Sequence, residues 1–168
     1  PFRFLGLKPY LDHVRTAEQP AAPAFQCLTA INEGIGGRRF VNHLIQSECQ
    51  QLGLRGLGER LLVTENQPTL GIFNGDIGVV IDPNDTQNPR VRFDTLSTPL
   101  MRNQLGWVEP AWAISIHRSQ GSEYQSVLVC LPEPSSIGSR FRPSRELLYT
   151  ALTRAKQSVG LFASERML

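Results

Sequence analysis

The sequence has no apolar run near the ~20 residues that a helix needs to cross a bilayer, so its 168 residues contain no transmembrane helix. Net charge is also small. Seventeen Lys and Arg stand against fifteen Asp and Glu, a formal +2. That balance does not by itself signal nucleic acid, although charge segregated by face stays open. Cysteine is scarce and odd in number, with Cys27, Cys49 and Cys130 far apart and no CxxC pair. This argues against a disulfide framework, and buried, reduced thiols in a cytoplasmic protein are expected. The three histidines, His13, His43 and His117, have no HExxH and no paired-ligand spacing. No metal site is expected from them. Pro1-Phe2-Arg3-Phe4 lacks an apolar core followed by a small-residue cleavage site, and nothing argues for secretion. There is no G-x-S-x-G elbow. Gly34-Ile35-Gly36-Gly37 lacks the third glycine of a dinucleotide fingerprint. The phosphate loop G-x-x-x-x-G-K-S/T is missing too, so the chain alone has no visible means of holding a nucleoside triphosphate for hydrolysis.

What is present fits a folded globular protein. Apolar residues are 40% and charged residues 19% of the chain. A chain this long buries roughly 70% of its extended-state surface, enough for a core without staples. Fourteen glycines and twelve prolines predict frequent turns. The first 24 residues, with Pro1, Pro9, Pro20 and Pro23, read as a short helix around Tyr10 to Ala17 and then a linker. The chain starts without methionine, which suggests a piece of a longer protein.

Phe25 to Ile31 reads as a buried strand, and Gly34 to Gly37 as a loop. Arg38 to Leu52 reads as a helix on the spacing of Phe40, Val41, Leu44, Ile45 and Cys49, with Gly53 as its stop. From Arg60 the pattern changes. Arg60 to Thr64, Asp76 to Asp82 and Arg90 to Asp94 read as strands, with turns at Asn74-Gly75 and Pro83-Asn84-Asp85. Asn-Gly predicts a tight hairpin with both central residues at positive φ. Residues 59 to 108 therefore read as a compact antiparallel unit of four or five strands, a small barrel inserted into a larger domain. Trp112 to Ile116, Ser126 to Leu131 and Ser158 to Ala163 read as strands, and Pro132 to Pro143 as a loop. A helix is expected from its N-cap Ser144 to about Lys156, with the apolar stripe Leu147, Leu148, Ala151, Leu152 and Ala155. Strand, helix and strand in that order predict an α/β layer with a parallel sheet.

Three segments could carry chemistry. His117 to Glu123 follows a strand and packs His, Arg, Ser, Gln, Ser and Glu around Gly121. In parallel sheets, ligands sit where strands end at their carboxyl edge. Free amides there suit a phosphate, and Glu123 could accept from sugar hydroxyls. An ordinary solvated turn has the same composition. Thr150 and Arg154, four apart, share one side of the late helix. Arg154 can act there as a bidentate phosphate clamp or as a salt-bridged surface residue. Phe73 and Asn74, at the tip of Gly71 to Gly78, could stack on bases or touch a backbone, while hairpin geometry alone accounts for the turn.

Taken together these segments resemble the RecD branch of superfamily 1 helicases. Ala113 to Glu123 (AISIHRSQGSE) resembles motif V, and Arg145 to Ala155 (RELLYTALTRA) resembles motif VI. Phe73 to Gly78 (FNGDIG) resembles the element preceding that branch's inserted barrel, and Gln26 to Ile45 more loosely resembles motif IV. His117-Arg118 stands where His-Lys is commoner, which keeps the charge. The resemblance covers about residues 25 to 165. It implies the C-terminal part of an ATP-dependent DNA helicase. Residues 1–24 would be an N-terminal segment, and 25–168 a second RecA-like lobe interrupted at about 75–108 by an SH3-like barrel. It implies that Arg154 is a catalytic arginine finger, that Glu123 holds the ribose, and that Gly121 lets the loop come close. It implies a single-strand track drawn from Thr64, Asn66, Asn74, His117, Ser119 and Thr150. ATP and Mg2+ would be held mainly by a first lobe outside this chain, so the chain alone would be inactive. The implied partners are DNA and RecB- and RecC-like subunits in double-strand break repair, with 5′-to-3′ polarity and no membrane. A non-catalytic DNA- or partner-binding module and a stand-alone motor are the competing readings. Arg90, Arg92 and Arg102 could give the barrel a basic face or merely solubilise its strand edges.

Overall fold

The computed structural model describes residues 25–51, 59–81, 88–132 and 142–163. The expected helix near Tyr10 to Ala17, the Gly53 stop and the Pro83-Asn84-Asp85 turn lie outside the described residues. In chain order the elements are β1 (Phe25–Thr29), α1 (Arg38–Gln51), β2 (Arg60–Val63), β3 (Ile77–Val80), β4 (Arg90–Phe93), β5 (Leu100–Met101), β6 (Val108–Pro110), β7 (Ala113–Ser115), β8 (Tyr124–Cys130), α2 (Arg145–Leu152) and β9 (Ala155–Phe162).

Two sheets form. The first is parallel throughout, in the order β7-β1-β8-β9. Strand alternation sends neighbouring residues to opposite faces. Cys27, Ala113, Leu128 and Cys130 therefore meet Val41, Ile45 and Cys49 of α1 on one side. Leu28, Ile114, Val127 and Val129 meet Ala151, Leu147 and Leu148 of α2 on the other. This is the expected α/β layer of RecA-like type, with a helix on each face of a parallel sheet. The three cysteines are free and buried.

Polar groups tie α1 to the sheet. The Asn42 amide exchanges two hydrogen bonds of 2.9 Å with the backbone of Ala113, which satisfies the outer side of edge strand β7. Gly36 (φ +83°) and Gly37 let the loop before α1 turn tightly. A side chain on Gly37 would lie 2.5 Å from the Glu33 carbonyl oxygen.

The second sheet is antiparallel, in the order β5-β4-β3-β2-β6, and runs from Arg60 to Pro110. Its first strand lies upstream of residue 75. Alternation in β2 decides its two allegiances. Leu61 and Val63 enter a core of their own with Ile72, Val80, Val91, Phe93 and Leu105. Arg60 and Leu62 face the parallel layer, and Leu62 joins its core. Gly78 makes room for the Phe93 ring, since an added Cβ would sit 2.6 Å from it.

The junction between the sheets is a buried polar knot. The Arg60 guanidinium donates to the Phe25 carbonyl and to Gln26 Oε1, each at 2.8 Å. Gln26 Nε2 passes the connection on to the Trp112 carbonyl at 2.9 Å. Arg38 at the start of α1 pairs with Glu109 of β6 at 2.6 Å.

Three expectations are corrected. The late helix ends at Leu152 rather than Lys156, and β9 begins at Ala155. The reason is local capping. Thr153 Oγ1 and Arg154 Nε both donate to the Thr150 carbonyl, taking up an acceptor that a continuing helix would have used. Leu152 is consequently exposed instead of on the apolar stripe. Asn74-Gly75 does not make a two-residue hairpin with two positive φ values. Among the described residues only glycines have positive φ, Gly75 at +106° among them. The chain between β2 and β3 is a longer connection. Its final turn is closed by Asp76 N–H donating to the Phe73 carbonyl and Phe73 N–H donating to the Asp76 carboxylate.

Candidate functional site

The segment after β7 begins as a 3-10 turn, Ile116–Ser119. Ser119 is fully buried, and its hydroxyl donates to the Ile116 carbonyl at 2.7 Å. It braces the turn and offers no surface to a ligand in this structure. His117, Arg118 and Gln120 are exposed. Gly121 has φ +88° with open space around its Cα, a conformation that a side chain rarely adopts. The chain then enters β8.

The strand-end expectation holds for one end of this segment only. Ser115 is level with Thr29, which is level with Cys130, at the carboxyl edge of the sheet. Glu123 precedes Tyr124 at the amino edge. Seven residues of strand separate the two levels, about 20 Å. His117 and Glu123 thus belong to opposite edges of the layer.

At the amino edge the backbone bond from Tyr124 N–H to the Arg154 carbonyl, 2.8 Å, sets Glu123 and Arg154 side by side. Arg154 is half-buried and anchored. Nε donates to the Thr150 carbonyl at 3.1 Å, one terminal nitrogen to the Ser122 carbonyl at 3.3 Å, and the other to Thr153 Oγ1 at 3.2 Å. A guanidinium carries five N–H donors. Among the described residues three have partners, and two are left for an incoming acceptor. Glu123 is exposed and pairs with Lys156 at 3.0 Å. That ammonium, with Arg154 adding to it, holds the Glu123 carboxyl below the usual carboxylate range. Beneath them, burial pushes the Tyr124 phenol up, so it stays neutral. Thr150 is half-buried with its hydroxyl returned to the Glu146 carbonyl at 2.8 Å. Thr150 and Arg154 do share a side, through backbone capping. The edge therefore presents a fixed cation with spare donors, a carboxylate kept charged, and a glycine that permits close approach. Such a set can grip a polyanion on one side and hydroxyls on the other.

A second cluster lies on the rim of the antiparallel sheet. Val63 exchanges backbone bonds with Gly75 and Asp76, each at 2.9 Å. Thr64 N–H donates to the Trp107 carbonyl at 3.0 Å. Asn74 N–H donates to Asn66 Oδ1 at 2.9 Å, and Gly106 N–H to Gln67 Oε1 at 2.8 Å. These bonds bring Thr64, Asn66 and Asn74 together on the rim. Among the described residues no cluster of three or more His, Cys, Asp or Glu could hold a metal ion, and no helix is long and apolar enough to cross a membrane.

Two residues escaped the sequence reading. Lys156 was assigned to a helix end, yet parallel pairing of β8 with β9 brings it to Glu123. Its position two residues after Arg154, on the other side of an early helix stop, was the available signal. Trp107 is 66% exposed on the rim. Its neighbour Gly106 and the polar stretch before it were the only hint.

Comparison with known proteins gives the following likenesses. Residues 110–162 match the UvrD-like helicase C-terminal domain family. The chain is similar to the RecBCD enzyme subunit RecD of Haemophilus influenzae, 34% identical over 113 residues, covering 66% of this chain and 16% of that protein. It is 43% identical over 110 residues to RecD of Mycobacterium tuberculosis, covering 64% of this chain and 18% of that one. The ATP-dependent RecD2 DNA helicase of Deinococcus radiodurans is 32% identical over 141 residues, 79% of this chain and 19% of its own length. The chain spans a quarter or less of the curated relatives it matches, 25% in one RecD and 16% in another. In fold it is similar to the Bacteroides Pif1 structure bound to single-stranded DNA, with TM-score 0.51, 16% identity, and coverage of 86% of this chain and 42% of that one.

Proposed function

We propose that this chain, by sequence a relative of the RecD family of superfamily 1 helicases, is the second RecA-like lobe of an ATP-dependent DNA helicase. The observation that carries the reading is Arg154, held by three hydrogen bonds with two N–H donors spare at an exposed sheet edge. A finger of this kind must be rigid before the phosphate arrives, so that no reorganisation is needed as charge develops. ATP binds between this edge and a first lobe. Arg154 stabilises the γ-phosphate as it passes to water, Glu123 accepts from the ribose hydroxyls, and Gly121 admits the nucleotide. Mg2+ is held by the first lobe. Thr64, Asn66, Asn74, His117 and Thr150 contribute to the track for single-stranded DNA, and buried Ser119 braces the turn that carries His117. Hydroxyls and amides grip phosphates without reading bases, which translocation requires. Cleft closure and opening move the strand.

In this reading residues 25–168 form the lobe, and the antiparallel unit around 75–108 is its SH3-like insertion. The protein works in the cytoplasm with RecB- and RecC-like subunits, 5′ to 3′, in the repair of double-strand breaks. The chain alone does not turn over ATP.

Arg154→Ala in the full-length protein lowers DNA-stimulated ATP turnover by about 10³ or more, with circular dichroism unchanged. Arg154→Lys keeps the charge but not the fork, and recovers only part of the loss. Turnover at the wild-type rate by the alanine variant removes the finger role from Arg154.

A further inference from the structure

Of the three aromatics in the antiparallel unit, only Phe93 enters its core. Leu61, Val63, Ile72, Val80, Val91, Phe93 and Leu105 are buried there, and Leu70, Leu96, Leu100 and Val108 pack against them. Trp107 and Phe73 stay outside, 66% and 50% exposed. A tryptophan left mostly in water is unusual, because its ring gains more than most from burial.

Both residues hang from the same end of β2. Trp107 is bonded through its carbonyl to Thr64 N–H, and the Phe73–Asp76 turn is bonded to Val63. Their neighbours on the rim are a hydroxyl and two amides, from Thr64, Asn66 and Asn74. Glu65, exposed between Thr64 and Asn66, repels phosphate. Charge therefore cannot be the source of affinity here, and flat rings interleaved with neutral hydrogen-bonding groups can.

We infer that Trp107, with Phe73 on the same rim, is a base-stacking step for single-stranded nucleic acid. The inference rests on the reading of this rim as part of the strand track and adds what holds the bases. Every base has a π face, so stacking tolerates sequence as a moving protein needs. Little charge is engaged, so binding at this step falls shallowly with salt.

The test is anisotropy of a labelled oligo(dT) and of an abasic oligomer of equal length, with the full chain as wild type, Trp107→Ala, Trp107→Phe and Asn74→Ala. Trp107→Ala is expected to weaken oligo(dT) binding about five- to fiftyfold. Trp107→Phe should cost about twofold or less, and neither should change abasic binding. Thermal unfolding should not move, given the exposure of residue 107. Equal loss on both oligomers, or no loss on either, overturns the stacking role. If Asn74→Ala still weakens both in that case, the strand track stands without it. No binding of either oligomer by any form, at low salt, overturns the track together with the stacking.

Discussion

The two ends of this molecule that carry its candidate chemistry are built from opposite materials. At the amino edge of the parallel sheet, Arg154, Glu123 and Lys156 stand within one charged group. On the rim of the antiparallel sheet, rings, amides and a hydroxyl stand beside two carboxylates, exposed Glu65 and turn-bonded Asp76. The ionic edge suits a ligand whose charge changes during reaction, because fixed charges act where charge develops. The rim's uncharged rings, amides and hydroxyl suit a ligand that must be held and released repeatedly, since desolvating a strong ion pair at each step would be slow and costly. The difference also divides the scaffold. The parallel layer ends in β9, exposed over most of its length, whereas the antiparallel unit closes its own core.

If the two ends must act together, the knot that joins the sheets is where the comparison breaks most visibly. Arg60→Ala strips buried Gln26 Oε1 of this donor, together with the half-buried Phe25 carbonyl. A stranded buried acceptor costs about 1–3 kcal/mol, so a loss of roughly 2 kcal/mol is expected in urea unfolding. The single transition should also separate into two, because the antiparallel core does not need the parallel one. An unshifted single transition would mean that apolar contacts through Leu62 already fix the sheets to each other.

The ionic edge can be sharpened by its unexpected member. Lys156→Ala leaves Glu123 charged and unneutralised beside a polyphosphate. The expected result in the full-length protein is a KM for ATP raised about two- to fivefold, as for other exposed pairs. Turnover at saturation should change less, and Lys156→Arg should restore binding. A fall in kcat at constant KM would instead make Lys156 part of the transition-state machinery. The rim should be indifferent to this substitution, with oligo(dT) binding unchanged.

Much of the fold was legible, and for physical reasons. The run SVLVC announces a strand buried on both faces, and β8 is that strand. Ser144 caps α2 by accepting from Leu147 N–H, as its residue type predicts. Arg154 and Glu123 stood out one at a time, each through the motif that carries it, and their adjacency came only from the pairing of β8 with β9. What failed depended on contacts distant in sequence. The end of α2 is decided by side chains folding back onto Thr150, which periodicity does not register. The geometry of Asn74 is decided by Asn66 and Asp76, so the local Asn-Gly signal lost to tertiary hydrogen bonds. Lys156 could be placed only once β9 was known to lie parallel to β8. Trp107 follows no period, and its exposure depends on a core that closes without it.

The smallest effect tests whether the antiparallel unit is itself free of ionic strain. Glu59, just before β2, is half-buried, and burial pushes its carboxyl up while Arg102 pulls it back. In the folded chain it therefore holds its proton to higher pH than in the unfolded chain, whose ordinary value is near 4.5. The folded state binds more protons in that window, so stability falls as pH rises through it and is then flat. Glu59→Gln removes the ionised form. It should stabilise the protein at pH 7 by roughly 0.5 kcal/mol, partial exposure screening the rest. Below pH 4, where both states are protonated, wild type and variant should unfold alike. A variant less stable than wild type at pH 7 would mean that the charged carboxylate, through Arg102, supports the unit, and that the antiparallel sheet also depends on an ion pair.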